Sequence, residues 1–334
     1  MWNTVGHERA LGALRRGLDL DRVSHSFLIA GPPQVGKTTL ALDIARAVNC
    51  ESDDDRPCSR CGQCGRISSG LHPDVRMVGL EKARSGRLRT LIGIEQVRDV
   101  QRETSLLPFE GRYRVIVFET AELFSEEAAN SLLKTLEEPP ERVLIILLTT
   151  DARALLPTIV SRCRLVQLRP APSAVIAEFL SDRKGVSPDR AREVAGLSSG
   201  RVGWAVQAAE DPDMLKRMSD VLDEVESVTR SRLTERFDYA AGLAGRFPGD
   251  RRSVYSELDL WLSWWRDVLL VGQQKPDLVS NVARIDSLRD AAERLPPASV
   301  TNAIRTIMRT AFLLERNVSP RLALEGMMLE LPAV

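Results

Sequence analysis

The sequence predicts an α/β domain with a parallel sheet, followed by a small helical domain and a larger all-α domain. Three observations support this fold class. Short apolar runs alternate with helical patterns through the first half of the chain, a glycine-rich loop follows the first of these runs, and strand patterns nearly vanish after residue 173. A chain of 334 residues is also long for one domain. We expect domain boundaries at residues 1–168, 169–209 and 210–334.

Apolar runs rich in β-branched residues predict the strands of the sheet. Residues 26–30 lead into the glycine-rich loop, and residues 115–118 and 143–149 are too short for helices, so they are typical of buried parallel strands. Residues 125–138 place their apolar side chains on one face of a helix and end before two prolines. The second half predicts helices alone, at residues 173–183, 188–197, 201–209, 253–272 and 298–317.

Composition argues against several classes of protein. The 46 basic and 46 acidic residues cancel, which gives no overall electrostatic case for binding nucleic acid. Lys82, Arg84, Arg87 and Arg89 form a short basic run, which we interpret as a solvated loop or, alternatively, as a local phosphate contact. The first ten residues lack an apolar signal segment, and no apolar run reaches 18 residues. These features predict a cytoplasmic protein with reduced cysteines and no membrane partner.

The glycine-rich loop is a complete phosphate-binding pattern. Residues 31–38 read G-P-P-Q-V-G-K-T, between a predicted strand and a predicted helix. Glycines such as Gly31 and Gly36 let backbone N–H groups converge on phosphate oxygens at a helix N-terminus. Lys37 would contact the outer phosphates and the Thr38 hydroxyl would ligate Mg²⁺, with Thr39 beside it. We therefore expect ATP or ADP with Mg²⁺; the alternative is a glycine turn that caps a helix.

The strand at residues 114–120 ends in one acid where P-loop ATPases of this type have two. It reads R-V-I-V-F-E-T, with Glu119 in the place near magnesium and Thr120 in the place beside the attacking water. A threonine hydroxyl is too weakly basic to accept a proton at neutral pH. Glu122 lies nearby in sequence, and we expect it to point elsewhere. The pattern predicts binding without turnover, unless residues 115–118 form a strand unrelated to these acids.

Four cysteines have the spacing of a metal site. Cys50, Cys58, Cys61 and Cys64 include two overlapping C-x-x-C steps, which place thiolates on tight turns where they can converge on one ion. Four sulfurs with no open position favour a structural tetrahedral Zn²⁺. An iron–sulfur cluster and two disulfides are the alternatives, and the predicted compartment disfavours the second. We expect the cysteines to brace the nucleotide domain or a neighbouring subunit.

Polar residues close the α/β domain where a nucleotide could be sensed. Arg162, in Ser161-Arg162-Cys163, could project into a neighbour's active site as an arginine finger, because its planar fork matches phosphate. Alternatively it is a surface charge. Thr149 and Thr150 end the strand at 143–149, where a hydroxyl could sense a γ-phosphate; the alternative is a strand end followed by a turn.

These features occur together, and in this order, in the clamp-loader branch of the AAA+ ATPases, which the chain resembles. The likeness is dense from residue 1 to about 170 and looser in the helical remainder. It rests on the cysteine spacing and on the stretches at residues 23–32, 72–75, 107–115, 128–140 and 161–163, with weaker support at 264–267 and 317–331.

The resemblance implies a non-hydrolysing subunit. The hydrolysing gamma/tau subunits of this family have Asp-Glu where this chain has Glu119-Thr120. They also carry an arginine, called sensor 2, at a place that corresponds to Gly203, with Arg201 out of register. The chain would therefore be a component of DNA polymerase III, a nucleotidyltransferase assembly, without ATPase activity of its own. The alternative is an active ATPase of the gamma/tau type.

The resemblance also implies partners and a mechanism. Five subunits form an open ring joined by a collar of their C-terminal domains. In this ring the chain would act as a rigid stator beside the gamma/tau and delta subunits. It would offer Arg162 to ATP on the adjacent gamma/tau subunit, whose hydrolysis releases the sliding clamp onto primed DNA. Residues 210–334 would form the collar segment, and the group Trp261, Trp264 and Trp265 would be its core or a subunit interface, with core favoured by the helical spacing.

A more distant alternative is a P-loop kinase or a zinc-dependent nucleic-acid-binding module. It predicts that the helical third could be removed without loss of activity, whereas the scaffold hypothesis makes that third essential for assembly.

Overall fold

The computed structural model describes residues 1–19, 23–52, 55–81, 89–316 and 318–333. The chain divides into two compact units, at residues 1–206 and 207–334. The further division of the first unit at residue 168 stays a prediction. Three residues of the basic run, Lys82, Arg84 and Arg87, lie outside the described residues, and Arg89 is exposed.

The first unit is built on a parallel sheet. Its strands are β1 (Ser26–Ala30), β2 (Val75–Val78), β3 (Arg114–Phe118), β4 (Val143–Thr149) and β5 (Arg164–Gln167), in the spatial order β2-β3-β4-β1-β5. Each neighbouring pair is parallel. The helices are α1 (Glu8–Asp19), α2 (Lys37–Asn49), α3 (Gly62–Ser68), α4 (Ile94–Thr104), α5 (Glu126–Glu137), α6 (Pro157–Val160), α7 (Ser173–Lys184), α8 (Pro188–Leu197) and the first residues of α9 (Val202–Glu210), which includes the boundary at residue 206. The α/β prediction is confirmed.

The core of this unit lies on both faces of the sheet, because every residue of β1 and β4 is buried. Successive side chains point to opposite faces. Phe27 and Ile29 therefore join one apolar cluster with residues of α2, whereas Leu28 joins another with residues of α4 and α5. The strands are continuous apolar runs because helices cover both of their faces.

The register of the sheet brings its functional segments to one edge. Ala30, the last residue of β1, is paired with Thr149, the last residue of β4, and Gly31 N donates to Thr149 O at 3.1 Å. Next along the sheet, Glu119 follows β3, and its N–H donates to Val78 O at 2.9 Å. Because all strands are parallel, the segments after β1, β3 and β4 share this edge, where ligands bind in open α/β sheets.

A buried carboxylate anchors the loop between α4 and β3. Asp74 is almost fully buried and accepts hydrogen bonds from the N–H groups of Phe109, Glu110 and Gly111 at 2.7, 2.8 and 2.9 Å. The Arg114 guanidinium lies 3.1 Å from the same carboxylate. Burial by itself would raise the pKa of Asp74, but the three N–H donors and Arg114 together lower it below its ordinary value.

Asp74→Asn should therefore destabilise the protein by about 1–3 kcal/mol at pH 7, because an amide cannot satisfy the same set of donors. A carboxyl with a lowered pKa contributes stability above its unfolded pKa of about 3.9 and loses it as the pH falls through the folded value. The deficit of the variant should thus shrink between pH 5 and pH 3 in urea unfolding curves. Asp99→Asn, at a half-buried position of α4, is the control; an equal deficit at both pH values would contradict the prediction.

Helices and the loops between them make up the described residues of the second unit. It contains α10 (Pro212–Arg230), α11 (Leu233–Arg246), α12 (Arg251–Gly272), α13 (Ile285–Arg294), α14 (Pro297–Glu315) and α15 (Pro320–Glu330). The tryptophans of α12, Trp261, Trp264 and Trp265, are buried in its core, and the last two rings meet edge to face with centroids 4.9 Å apart. The interpretation of this aromatic group as core is confirmed. Among the described residues, no helix has both the length and the apolarity needed to cross a membrane.

Candidate functional site

The phosphate loop joins β1 to α2 at the shared edge of the sheet. A Cβ atom on Gly31 would lie 2.6 Å from Leu168 O, so this close approach of two backbones requires glycine. Gly36 has a φ of 102°, in the left-handed region, directly before the first residue of α2. These glycines turn the free N–H groups of the first turn of α2 toward the loop, the arrangement that a phosphate group requires.

In this structure Lys37 is bonded to its own loop. Its Nζ donates to Gly31 O at 2.6 Å and to Pro32 O at 2.9 Å. Burial lowers the pKa of Lys37, and the charge of Glu122 acts in the opposite direction. The hydroxyl-bearing residues that follow differ in exposure, since Thr38 is exposed and Thr39 is half-buried. A bound phosphate could therefore replace these two neutral carbonyl groups as the hydrogen-bond partner of the Lys37 ammonium group.

Two acids, Glu119 and Glu122, follow β3. Glu119 is exposed, and its carboxylate lies against the end of β2, because a Cβ on Gly79 would approach Glu119 Oε2 to 2.4 Å. Thr120 carries a buried hydroxyl that has no hydrogen-bond partner within the described residues. The expectation that Glu122 points elsewhere is wrong. The backbone after β3 forms a short 3₁₀ turn, Ala121–Leu123, which places the Glu122 carboxylate at the same edge as the phosphate loop.

The two threonines at the end of β4 are not equivalent. Thr149 is buried, and its hydroxyl donates to Asp151 O at 3.0 Å and accepts from Asp151 N at 3.2 Å, which closes a local turn. Thr150 is exposed, and both its N–H and its hydroxyl donate to Glu122 Oε1, at 3.2 and 3.0 Å. Of the two candidate sensors, Thr150 is the one that faces the acid at the edge of the sheet.

Gly203 lies against the phosphate loop. Its N–H donates to Gln34 O at 2.7 Å, and an added Cβ would lie 3.1 Å from that oxygen. Arg201 donates from Nε to Ser198 O at 3.2 Å, which places this donor on its own backbone turn. The start of α9 thus meets the loop through backbone, at the place where the resemblance expects an arginine in a hydrolysing relative.

The predicted metal ligands converge. The sulfur atoms of Cys50, Cys58, Cys61 and Cys64 all lie within 4.8 Å of one another. Each N–H of the last three cysteines donates to the sulfur of the preceding one, at 3.3, 3.3 and 3.4 Å. Backbone hydrogen bonds, led by that from Arg60, lower the pKa of Cys58 to about 6, whereas burial raises the pKa values of Cys50 and Cys64. Such donors stabilise thiolates, the form that binds a metal, so this cysteine cluster could hold a zinc ion.

The cysteine cluster is joined to the helix that follows the phosphate loop. Cys50 comes directly after α2, and the Cys64 thiol lies 4.0 Å from Arg46 O of that helix. Arg46 also contacts the Ser59 hydroxyl at 3.4 Å and forms a buried ion pair with Asp43. Both members of this ion pair lie on α2, and their roles were missed at the sequence level because no motif marks them. The contacts fit the expectation that the cluster braces the nucleotide domain.

Arg162 lies on the surface just after α6. Its backbone is fixed, since the Ser26 hydroxyl donates to Arg162 O at 2.7 Å. Its guanidinium pairs with Glu137 through Nη2 at 2.6 Å and donates from Nη1 to Thr158 O at 3.0 Å. The side chain remains 35% exposed, which leaves it accessible to a neighbour. By contrast, burial raises the pKa of the adjacent Cys163 thiol to about 11, so that thiol stays protonated at neutral pH.

Comparison with known proteins places these features in one family. The family model described as "DNA polymerase III, delta subunit" matches residues 6–172. "DNA polymerase III subunit delta'" of Bacillus subtilis (strain 168) is 28% identical over 326 residues, covering 97% of this chain and 95% of that protein.

Two further relatives each match about half of the chain. "DNA polymerase III subunit tau" of Escherichia coli (strain K12) is 38% identical over 162 residues, covering 48% of this chain and 24% of that protein. The subunit of the same name from Bacillus subtilis (strain 168) is 34% identical over 175 residues, covering 52% of this chain and 30% of that protein. Because the family model spans half of the chain, the chain belongs to the DNA polymerase III delta subunit family.

Proposed function

We propose that the chain is the delta-prime-type subunit of a clamp loader. In this role it is a stator that helps load the sliding clamp onto primed DNA in the cytoplasm, and it does not hydrolyse ATP itself. The observation that carries the proposal is a complete phosphate loop in a chain that has Thr120, which cannot act as a base, in the place of the second acid after β3. The extent of the match supports the choice of subunit, since it spans nearly the whole delta-prime relative and about a quarter to a third of the tau proteins.

The phosphate loop would bind ATP or ADP with Mg²⁺. Lys37 would leave the loop carbonyls for the outer phosphates, and Thr38 would ligate the ion with Glu119 reaching it through water. Residues 169–209 would form a small helical lid domain. Gly203 supports the absence of hydrolysis, because a glycine there contributes no positive charge toward the phosphates.

Arg162 would act on a neighbour. We propose that it reaches the ATP held by the adjacent gamma/tau subunit and stabilises the charge that develops during hydrolysis. Its exposure, its fixed backbone and the three acceptors around the guanidinium, from Glu137, Thr158 and Ser161, support this role. An arginine suits the task because its donors are held in a rigid fork.

The remaining parts would hold the assembly together. The cysteine cluster would bind a structural Zn²⁺, because all four positions around the ion would be filled by sulfur. The helices of the second unit would form the collar segment that contacts the gamma/tau and delta subunits. Contacts to the sliding clamp and to primed DNA would be made mainly by the assembled ring.

The isolated chain should bind nucleotide without turning it over. Lys37→Ala should weaken the binding of ADP and ATP about 100-fold, because the charge-assisted hydrogen bonds to phosphate are lost. Isothermal titration measures the binding, and phosphate release with and without primed DNA measures turnover. Lys134→Ala removes an exposed lysine from α5 and should change neither.

A second candidate function is an active ATPase of the gamma/tau type. The position of Glu122 at the edge of the sheet favours it, because a carboxylate there could serve as a base in place of the missing acid. Steady, DNA-stimulated turnover that Lys37→Ala abolishes would support this candidate and exclude the stator without hydrolysis.

A further inference from the structure

Glu122 is bound to the residue proposed to sense the last phosphate of a nucleotide. Its Oε1 accepts both the N–H and the hydroxyl of Thr150, at 3.2 and 3.0 Å. One carboxylate oxygen thus accepts two hydrogen bonds from Thr150. These are the donors that a γ-phosphate would need at the end of β4.

The second oxygen of the Glu122 carboxylate, Oε2, differs from the first in its hydrogen bonding. Glu122 Oε2 is buried and has no hydrogen-bond partner in the described part of the chain. A buried carboxylate oxygen without a protein hydrogen-bond partner carries an energetic cost. The nearby Thr120 hydroxyl is buried and unpartnered in the same sense. The end of the sheet beside Thr150 therefore carries a negative charge whose hydrogen bonding, within the described residues, is only half satisfied.

The same carboxylate acts on the phosphate-loop lysine. The charge of Glu122 raises the pKa of Lys37 against the lowering effect of burial, so the two charges are close enough to interact. Lys37 and Thr150 are the cation and the hydroxyl that would meet the outermost phosphate. Glu122 thus competes with a γ-phosphate for the donors of Thr150, and the two anions repel each other.

We infer that Glu122 makes this nucleotide site select a nucleoside diphosphate over a triphosphate. The inference rests on the proposed nucleotide site and names its preferred ligand. A diphosphate keeps the loop N–H groups and Lys37 but ends before the Thr150 donors, so it leaves the carboxylate in place. A triphosphate must displace the carboxylate from Thr150 and bring a like charge beside it.

The test compares the affinities of ADP and of a non-hydrolysable ATP analogue, with Mg²⁺, for the full chain by isothermal titration. Wild type should bind ADP more tightly. Glu122→Gln keeps the shape and removes the charge, so it should raise the affinity for the analogue relative to that for ADP about ten-fold, with the ADP affinity itself changed less than about two-fold. Glu127→Gln removes an exposed carboxylate from the first turn of α5 and should leave the ratio unchanged.

Each outcome decides the point. If the affinity for the ATP analogue relative to that for ADP does not change in Glu122→Gln, the inference is wrong and the proposed nucleotide site still stands. The same holds if the ratio changes only because the affinity for ADP changes. If neither nucleotide binds to wild type or variant, both the inference and the proposed nucleotide site fail. Thermal melting verifies that the variant is folded, and Glu122→Ala replaces it if it is not.

Discussion

Arg162→Ala should leave the reconstituted clamp loader assembled while turnover at the one adjoining ATP site falls by about a thousand-fold. The reason is that an arginine finger neutralises charge that appears only in the transition state of phosphoryl transfer. The total ATPase rate of the loader should fall by the fraction of turnover that this one site contributes. Clamp loading should fall further, because it depends on hydrolysis at every site of the loader. Rapid-quench phosphate release and clamp loading on primed DNA, with the gamma/tau and delta subunits present, measure both effects.

A matched control is Arg153→Ala, which removes another exposed arginine after the end of β4. This arginine pairs with Asp151 and has no proposed role at the neighbour, so both rates should stay within about two-fold of wild type. If the two variants behave alike in an assembled loader, Arg162 is a surface charge and the finger proposal is wrong.

Cys61→Ser should abolish metal binding and lower the midpoint of thermal unfolding by about 10 °C or more. A structural zinc site contributes its binding free energy to folding, and several kcal/mol correspond to a shift of this size in a domain of this length. The loss should spread to the phosphate loop, because Arg46 joins the cysteine cluster to α2. Elemental analysis, calorimetry and nucleotide binding measure the three consequences.

Cys163→Ser provides the comparison, since this fifth cysteine lies outside the cluster. It should retain one zinc per chain. A protein that contains iron and absorbs visible light would hold an iron–sulfur cluster in place of zinc. A metal-free protein with unchanged melting would contradict a structural role for a metal at these cysteines.

The strands that the sequence predicts best are those that are buried on both faces of the sheet. β1 and β4 are buried along their whole length, so their sequences are plain apolar runs that predict strands directly. β2 was missed because it is an edge strand in which three of the four residues are only half-buried and one is an arginine. Burial on both faces leaves a pattern in the sequence, and burial on one side of a short edge strand leaves almost none.

The candidate site shows the same limit. The phosphate loop and the cysteines are recognisable because their chemistry requires fixed residue types at fixed local spacing. The direction of Glu122 depends on a three-residue 3₁₀ turn, which spacing does not reveal. The partner of Arg162 is Glu137, 25 positions earlier, and only the packing of α5 beside α6 brings the two together.

The pairing of Arg162 with Glu137 has a consequence for how subunits would recognise each other. At rest the guanidinium already has a counter-ion and a defined shape, so engaging a phosphate on a neighbour would exchange one anion for another rather than strip water from a bare cation. An ion pair this exposed contributes less than about 1 kcal/mol, which makes the exchange easy to reverse. Engagement would then respond weakly to ionic strength, and the subunit would release its neighbour readily once the phosphate has left.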